Sequence, residues 1–293
     1  MRKIYLTLVC VGLMLSGRAQ EQQVDSSFRP IVNPSFYAQG KGPLLLIDSG
    51  HHNFHTLADR YAPFGWVAEQ AGFVVSSFGK IDSASLSVAT ILVIANALHS
   101  DNVDNWRQPV LPAFRQDEIE MLRQWVHNGG SLFLIADHMP FAGAVSNLAQ
   151  VFGFSLYDGF AYNRPQQKFD VFTVANGMLQ SDMIANSIDS VVSFTGHAFA
   201  ISDSASSIIR LDETYKVLMP QEAWRFSKDM KMIDAGGLSQ LAYTRYGNGK
   251  VVMAGEAAMF TAQRVGDIKI GMNMDGARGN LPLLLRLLKW LSE

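Results

Sequence analysis

Four short runs of consecutive apolar residues set the frame of the chain: Leu44–Ile47, Phe73–Val75, Ile91–Ile94 and Leu132–Ile135. Leu44–Ile47, Ile91–Ile94 and Leu132–Ile135 are continuous rather than alternating, as expected of strands covered on both faces, and Phe73–Val75 starts a further strand. Between them apolar residues recur at helical spacing. Leu57, Tyr61, Phe64, Val67 and Ala68 make one stripe, stopped at Gly72. A helix opening at Gln116 runs through Leu122, Trp125 and Val126 and stops at Asn128-Gly129-Gly130, where glycine supplies the left-handed cap. Pro140 suits the first turn of a further helix that carries Leu148, Val151 and Phe152 and ends at Gly153. This alternation predicts an α/β fold with a doubly wound, mostly parallel, flavodoxin-like sheet.

The pattern loosens over residues 155–240, which read as loops and an excursion around the sheet edge. It returns at Leu241–Tyr246 and Lys250–Ala254, whose Gly247-Asn248-Gly249 centre predicts a β-hairpin. Leu281–Leu291 predicts an apolar helix packed on the sheet. Residues 20–42, broken by Pro30, Pro34, Gly40 and Gly42, read as a linker or surface arm. That leaves 43–293 as a single domain, with no internal repeat.

Composition changes this picture mainly at the N-terminus. Arg2 and Lys3 precede an apolar run from Ile4 to Leu15, too short to span a bilayer comfortably, and Gly17-Arg18-Ala19 offers small residues for cleavage. Residues 1–19 are predicted to be a signal peptide, and the mature protein periplasmic or secreted, without a stable membrane span. Cleavage removes the chain's one cysteine, Cys10, and with it any disulfide or thiolate nucleophile. It also removes Arg2, Lys3 and Arg18, leaving 21 basic against 26 acidic residues, a net charge of −5. Such a balance argues against nonspecific nucleic-acid binding, which needs a basic face.

Three features together carry a resemblance: an early strand ending in a polar turn, Asn128-Gly129-Gly130-Ser131-Leu132-Phe133-Leu134 entering a central strand, and a late hairpin ending in Gly255-Glu256. With the closing helix Asn280–Leu291, the order of elements over residues 43–293 resembles the class I glutamine-amidotransferase-like superfamily, in its DUF4350-type and trehalose-utilisation (ThuA)-like branch. The resemblance implies that fold. The amidotransferases' cysteine nucleophile is lacking, and so is the Gly-x-Ser-x-Gly elbow of serine hydrolases, so cysteine-dependent glutaminase chemistry is excluded.

Candidate chemistry collects where strands should end, which is where open α/β sheets bind ligands. Asp48, His51, His52 and His55 follow the first strand, and Asp137 and His138 follow the fourth. Imidazole and carboxylate suit a divalent metal such as zinc, manganese or iron, with His52, His55, Asp137 and His138 as ligands. The alternative is that Asp48 caps a helix and the histidines are hydrogen-bonded structural groups. An unpaired Asp137 behind a buried strand would be costly, so it should have a partner. Glu256, after the hairpin, is either a third wall of the cleft, as general base or ligand, or a helix-starting carboxylate. The catalytic set is therefore Asp48, His52, Asp137, His138 and Glu256. His197 after Ser193-Phe194-Thr195-Gly196, and His99 with Asp101 and Asp104, read as loop histidines, while His127 suits a helix C-terminus. Trp106, Phe141, Phe160, Tyr162 and Trp224 lie in loops around the expected cleft, where aromatics can stack on sugar rings.

The expected function is metal-assisted or acid/base hydrolysis of a carbohydrate or peptide-like substrate. The alternative is a non-catalytic module gripping a glycan, another small molecule or an envelope partner. A serine hydrolase using Ser49 is a third option, which lacks its elbow. All three require segments some ninety residues apart to converge on one hollow. The sequence carries no signal for oligomeric state.

Overall fold

A computed structural model describes residues 22–163, 169–180 and 184–293. The segment assigned as a signal peptide, with Cys10, lies outside the described residues. The fold is α/β, built on one nine-stranded sheet. In chain order its strands are β1 (Leu44–Asp48), β2 (Val74–Phe78), β3 (Ile91–Ala95), β4 (Ser131–Ile135), β5 (Phe154–Leu156), β6 (Phe199–Ile201), β7 (Ala205–Arg210), β8 (Ser239–Tyr246) and β9 (Gly249–Ala254). Across the sheet they run β2-β1-β3-β4-β9-β8-β6-β5, with β7 also on β8. The helices are α1 (Ala62–Gln70), α2 (Ser83–Val88), α3 (Gln116–His127), α4 (Phe141–Val151) and α5 (Asn280–Ser292).

The expected mostly parallel sheet is corrected to a mixed one. β2, β1, β3, β4 and β9 are mutually parallel. β8, β7, β6 and β5 add on antiparallel. The reason lies in residues 155–240. Among the described residues there, no helix lies between the short strands, and parallel neighbours need a crossover of the kind helices supply. The β8–β9 hairpin closes as expected at Gly247-Asn248, with Tyr246 opposite Gly249. Gly247 has φ 59°, and a Cβ there would meet the His127 carbonyl oxygen at 2.5 Å. In the surface arm, Gln23–Val24 pairs with Ala262–Val265.

Period-2 alternation sorts the parallel strands onto two cores. Leu45, Ile47, Val93, Phe133, Ile135, Val252 and Ala254 pack with Phe64 and Val67 of α1 and Leu284 and Leu287 of α5. Leu46, Leu92, Ile94, Leu132, Leu134 and Met253 pack with Leu122 and Val126 of α3 and Val145 and Leu148 of α4. Strand residues of both sets are fully or almost fully buried, which explains why the runs lack polar alternation. Among the described residues no helix is long and apolar enough to cross a membrane.

Candidate active site

The parallel strands end together at one edge of the sheet, and the polar residues just beyond them meet there. Ile135 of β4 lies opposite both Ala95 of β3 and Ala254 of β9. Asp137 and Glu256 therefore stand two residues past the same register line on neighbouring strands, and both continue the parity that faces α1 and α5. A cavity of about 300 Å³ opens over them, lined also by His55, Asn96 and His138.

Asn96 organises this floor. Its Oδ1 accepts the Asp137 amide at 2.8 Å and its Nδ2 donates to His55 Nδ1 at 2.9 Å. The first bond fixes which end of the Asn96 amide is oxygen, and the second then makes His55 Nδ1 an acceptor. Neutral His55 thus carries its proton on Nε2, which lies 3.3 Å from the Gln263 side-chain amide. Gln263 Oε1 is otherwise a buried acceptor without a donor. Turning that amide so that its oxygen meets Nε2–H satisfies both groups. Burial holds the His55 pKa down at about 3, with Arg60 adding to the effect.

His138 stacks on Phe160 with ring centroids 4.5 Å apart and meets Trp224 edge-on at 4.7 Å. Its Nδ1 donates to the Met139 carbonyl at 2.6 Å, so the neutral ring keeps its lone pair on Nε2. Burial lowers its pKa to about 4. Asp137 Oδ1 accepts only a short bond from the His138 amide, 2.8 Å. Burial raises the Asp137 pKa to about 7, with the bonds to His138 and Asn96 offsetting part of the rise. Glu256 accepts the Ala258 and Met259 amides at 2.7 and 2.8 Å, starting a short 3-10 turn. Its pKa is nonetheless raised well above the usual carboxylate range, first by burial and then by the charge of Asp137. The charge of Asp137 thus adds to burial in disfavouring the ionised form of Glu256.

The other predicted residues fall elsewhere. Asp48 and His52 do not line the cavity. Asp48 continues the parity of Leu46 and so faces α3, where it holds His51 Nδ1 at 2.8 Å, the Gly50 amide at 3.0 Å and Asn53 Nδ2 at 3.1 Å. His51 Nε2 then lies 3.6 Å from Glu118, itself bound to Arg115. His52 is exposed, at φ 46°. The proposed metal set of His52, His55, Asp137 and His138 therefore does not assemble. Among the described residues no three His, Cys, Asp or Glu side chains are grouped to hold a metal ion.

Ser49 donates its hydroxyl to the Phe78 carbonyl, which removes it as a nucleophile held beside a histidine. His99 caps the 3-10 turn Ser100–Asn102, and His127 ends α3. His197 is fully buried beside the end of β9, its amide bonded to the Gly255 carbonyl. Of the aromatics, Trp106, Phe141 and Trp224 line the cavity, Phe160 underlies His138, and Tyr162 is partly exposed. Sequence reasoning missed Asn96 and Gln263 and gave no role to Phe54 and Phe194, which line the cavity. Asn96 carried a readable signal, since it directly follows β3.

No family model matches the chain, and no curated protein matches it. Solved structures do. The IFT52 N-terminal domain is similar at TM-score 0.62 and 12% identity, over 85% of this chain and 97% of that one. A cytoplasmic protein from Salmonella typhimurium is similar at TM-score 0.53 and 12% identity, over 85% and 98%. A ThuA-like protein from Bacteroides uniformis is also among the matches, at TM-score 0.49 and 12% identity, over 88% and 94%. At such identities the first two likenesses concern the fold alone, which is α/β with a large mixed sheet.

Proposed function

We propose that this protein is an exported acid–base hydrolase acting on a carbohydrate, built on an amidotransferase-like fold of the ThuA-like branch, with Asp137 as its proton-transfer group. The observation that carries the reading is the buried carboxyl pair, Asp137 and Glu256, at adjacent parallel strand ends beneath an aromatic-walled cavity. The β2-β1-β3-β4-β9 order is the flavodoxin-like one, which supports the fold assignment. A cavity of about 300 Å³ suits a single sugar ring, and rings such as Phe54, Trp106 and Trp224 provide apolar walls beside a polar floor.

In this reading Asp137 enters turnover protonated, as its pKa of about 7 allows near neutrality. It gives that proton to the departing glycosidic oxygen as the bond to the anomeric carbon breaks. Water attacks that carbon and loses a proton to the unprotonated His138 Nε2. Return of the proton to Asp137 through solvent closes the cycle. The acid–base form is favoured over a metal-assisted one because His55 has both ring nitrogens engaged and His52 is outside the cavity.

One observation favours a second reading, a glycan-binding module without turnover: both Glu256 oxygens already accept backbone amides, so only one carboxyl remains to serve a substrate. The two readings separate in one experiment. Thermal-shift titration against common monosaccharides is paired with hydrolysis of the matching 4-nitrophenyl glycosides. The hydrolase reading predicts that a sugar which raises Tm also marks a glycoside that is cleaved. Asp137→Asn then keeps the Tm shift but loses about a hundredfold or more in turnover. Binding without cleavage supports the module, and the absence of both ends the carbohydrate reading.

A further inference from the structure

An apolar strip leaves the cavity and runs over the surface of a small side sheet. Its hub is Phe160, which stacks on His138 and has Trp224 at 4.8 Å and Phe226 at 5.1 Å, both edge-on. Phe160 belongs to a three-stranded antiparallel sheet with Lys216–Met219 and Lys231–Asp234. Leu218 pairs with Phe160 on one side and Met232 on the other, so the three side chains form one cross-strand row. The next row is Tyr162, Lys216 and Asp234, with a Lys216–Asp234 ion pair at its end.

Large apolar groups on this strip are unusually open: Trp224 is 54% exposed, Phe226 48% and Met232 51%. Trp224 is also held at φ 67°, a conformation uncommon for a bulky residue. Its loop is fastened by the Arg107–Glu222 bridge and by the Ala223 amide on the Trp106 carbonyl. The two tryptophan-bearing loops are therefore tied together at the cavity rim, where Trp224 meets the exposed Phe226 edge-on at 6.4 Å.

We infer that this strip is a second subsite for the next sugar units of a longer glycan whose terminal ring occupies the cavity, which makes the protein selective for oligosaccharides acted on from one end. This rests on the carbohydrate reading of the cavity. Continuity decides the occupant: Trp224 lines the cavity and meets exposed Phe226, both pack on Phe160, and the cross-strand row from Phe160 ends at exposed Met232. Apolar ring faces serve pyranose faces, and Tyr162, Lys216 and Asp234 at the border offer hydrogen-bond groups for sugar hydroxyls.

The test compares the full chain with a Phe226→Ser/Met232→Ser variant. Both residues are exposed and neither lines the cavity, and an unchanged Tm checks the fold. Calorimetric titration uses glucose, mannose and N-acetylglucosamine, each with its β-1,4-linked dimer and tetramer. In the series that binds, the tetramer should bind the wild type about tenfold or more tighter than the monosaccharide. The variant should lose most of that gain while keeping monosaccharide affinity within about twofold. Equal affinity for one and four units in the wild type, or an undiminished gain in the variant, overturns the second subsite and leaves the cavity reading standing. If no sugar of any length binds, both fall together.

Discussion

Asn96 and His55 show how few groups fix the chemistry of the floor. With its oxygen on the Asp137 amide and its nitrogen on His55, Asn96 serves two buried partners at once. Replacing it by alanine strands an amide N–H and an imidazole acceptor, and about 2–5 kcal/mol of stability should be lost, read by urea denaturation. Asn96→Asp should cost at least as much, because it sets a further carboxylate beside Asp137. Glu256→Gln puts an NH₂ against one of the two amides that the carboxylate now accepts. Its expected cost is about 1–3 kcal/mol, and a smaller loss would mean that those amide bonds contribute little. Three buried histidines give the molecule an acid-sensitive side. Burial lowers His55 to about 3, His138 to about 4 and His197 to about 3, so folding favours their neutral forms. Their stabilisation is full above pH 6.5 and is lost as pH falls toward 4 and 3. Denaturation midpoints between pH 7 and 4 check this, and His197→Gln should flatten the slope in that window.

Among the elements, the join between β1 and α3 behaves in the opposite sense. His51 is held between Asp48 and Glu118, and those two carboxylates raise its pKa against the opposing effect of its burial. Its protonated form is therefore favoured in the fold. That contribution is present below the unfolded histidine pKa of about 6.5 and disappears as pH rises through the higher folded value. His51→Gln should remove a loss of stability on the alkaline side of neutrality while leaving the acid limb unchanged. This join also marks where the sequence was legible and where it was not. The apolar runs, the glycine stops and the Gly247-Asn248 hairpin announced β1, β3, β4, β8 and β9 and helices α1, α3, α4 and α5, because continuous burial and positive φ leave strong traces, whereas the edge strand β2 is mostly exposed and the short α2 went unread. The two Asp/His groups do lie at or just beyond strand ends. Which face each residue took depended on parity instead. Asp48 shares the side of Leu46, whereas Asp137 and Glu256 share the side of Ile135 and Ala254, so Asp48 looks into α3 and the other two into the cavity, while His55 reaches the cavity from the turn beyond β1. That period-2 count was available in the sequence, but the pairing register that turns it into geometry was not.

At the scale of the whole molecule, the parallel strands and their two helix layers build the edge on which Asp137 and Glu256 stand. The antiparallel extension and side sheet build the wall that holds Phe160 and Trp224 over it. Residues 155–240 hid that wall from sequence reading, since strands of three or four residues have too few positions to show a period. The α5 layer should be a main source of stability. Leu284 and Leu287 are fully buried against the sheet core, and truncating either to alanine should cost about 2–5 kcal/mol with a matching fall in Tm. The measurement that bears most directly on the central claim is the pH dependence of kcat/KM for the best 4-nitrophenyl glycoside, with wild type and Asp137→Asn side by side. A proton-donating Asp137 predicts turnover that declines as pH rises through about 7 and a variant that binds the sugar but scarcely cleaves it. Turnover undiminished up to pH 9, or an Asp137→Asn protein as fast as the wild type, would contradict it.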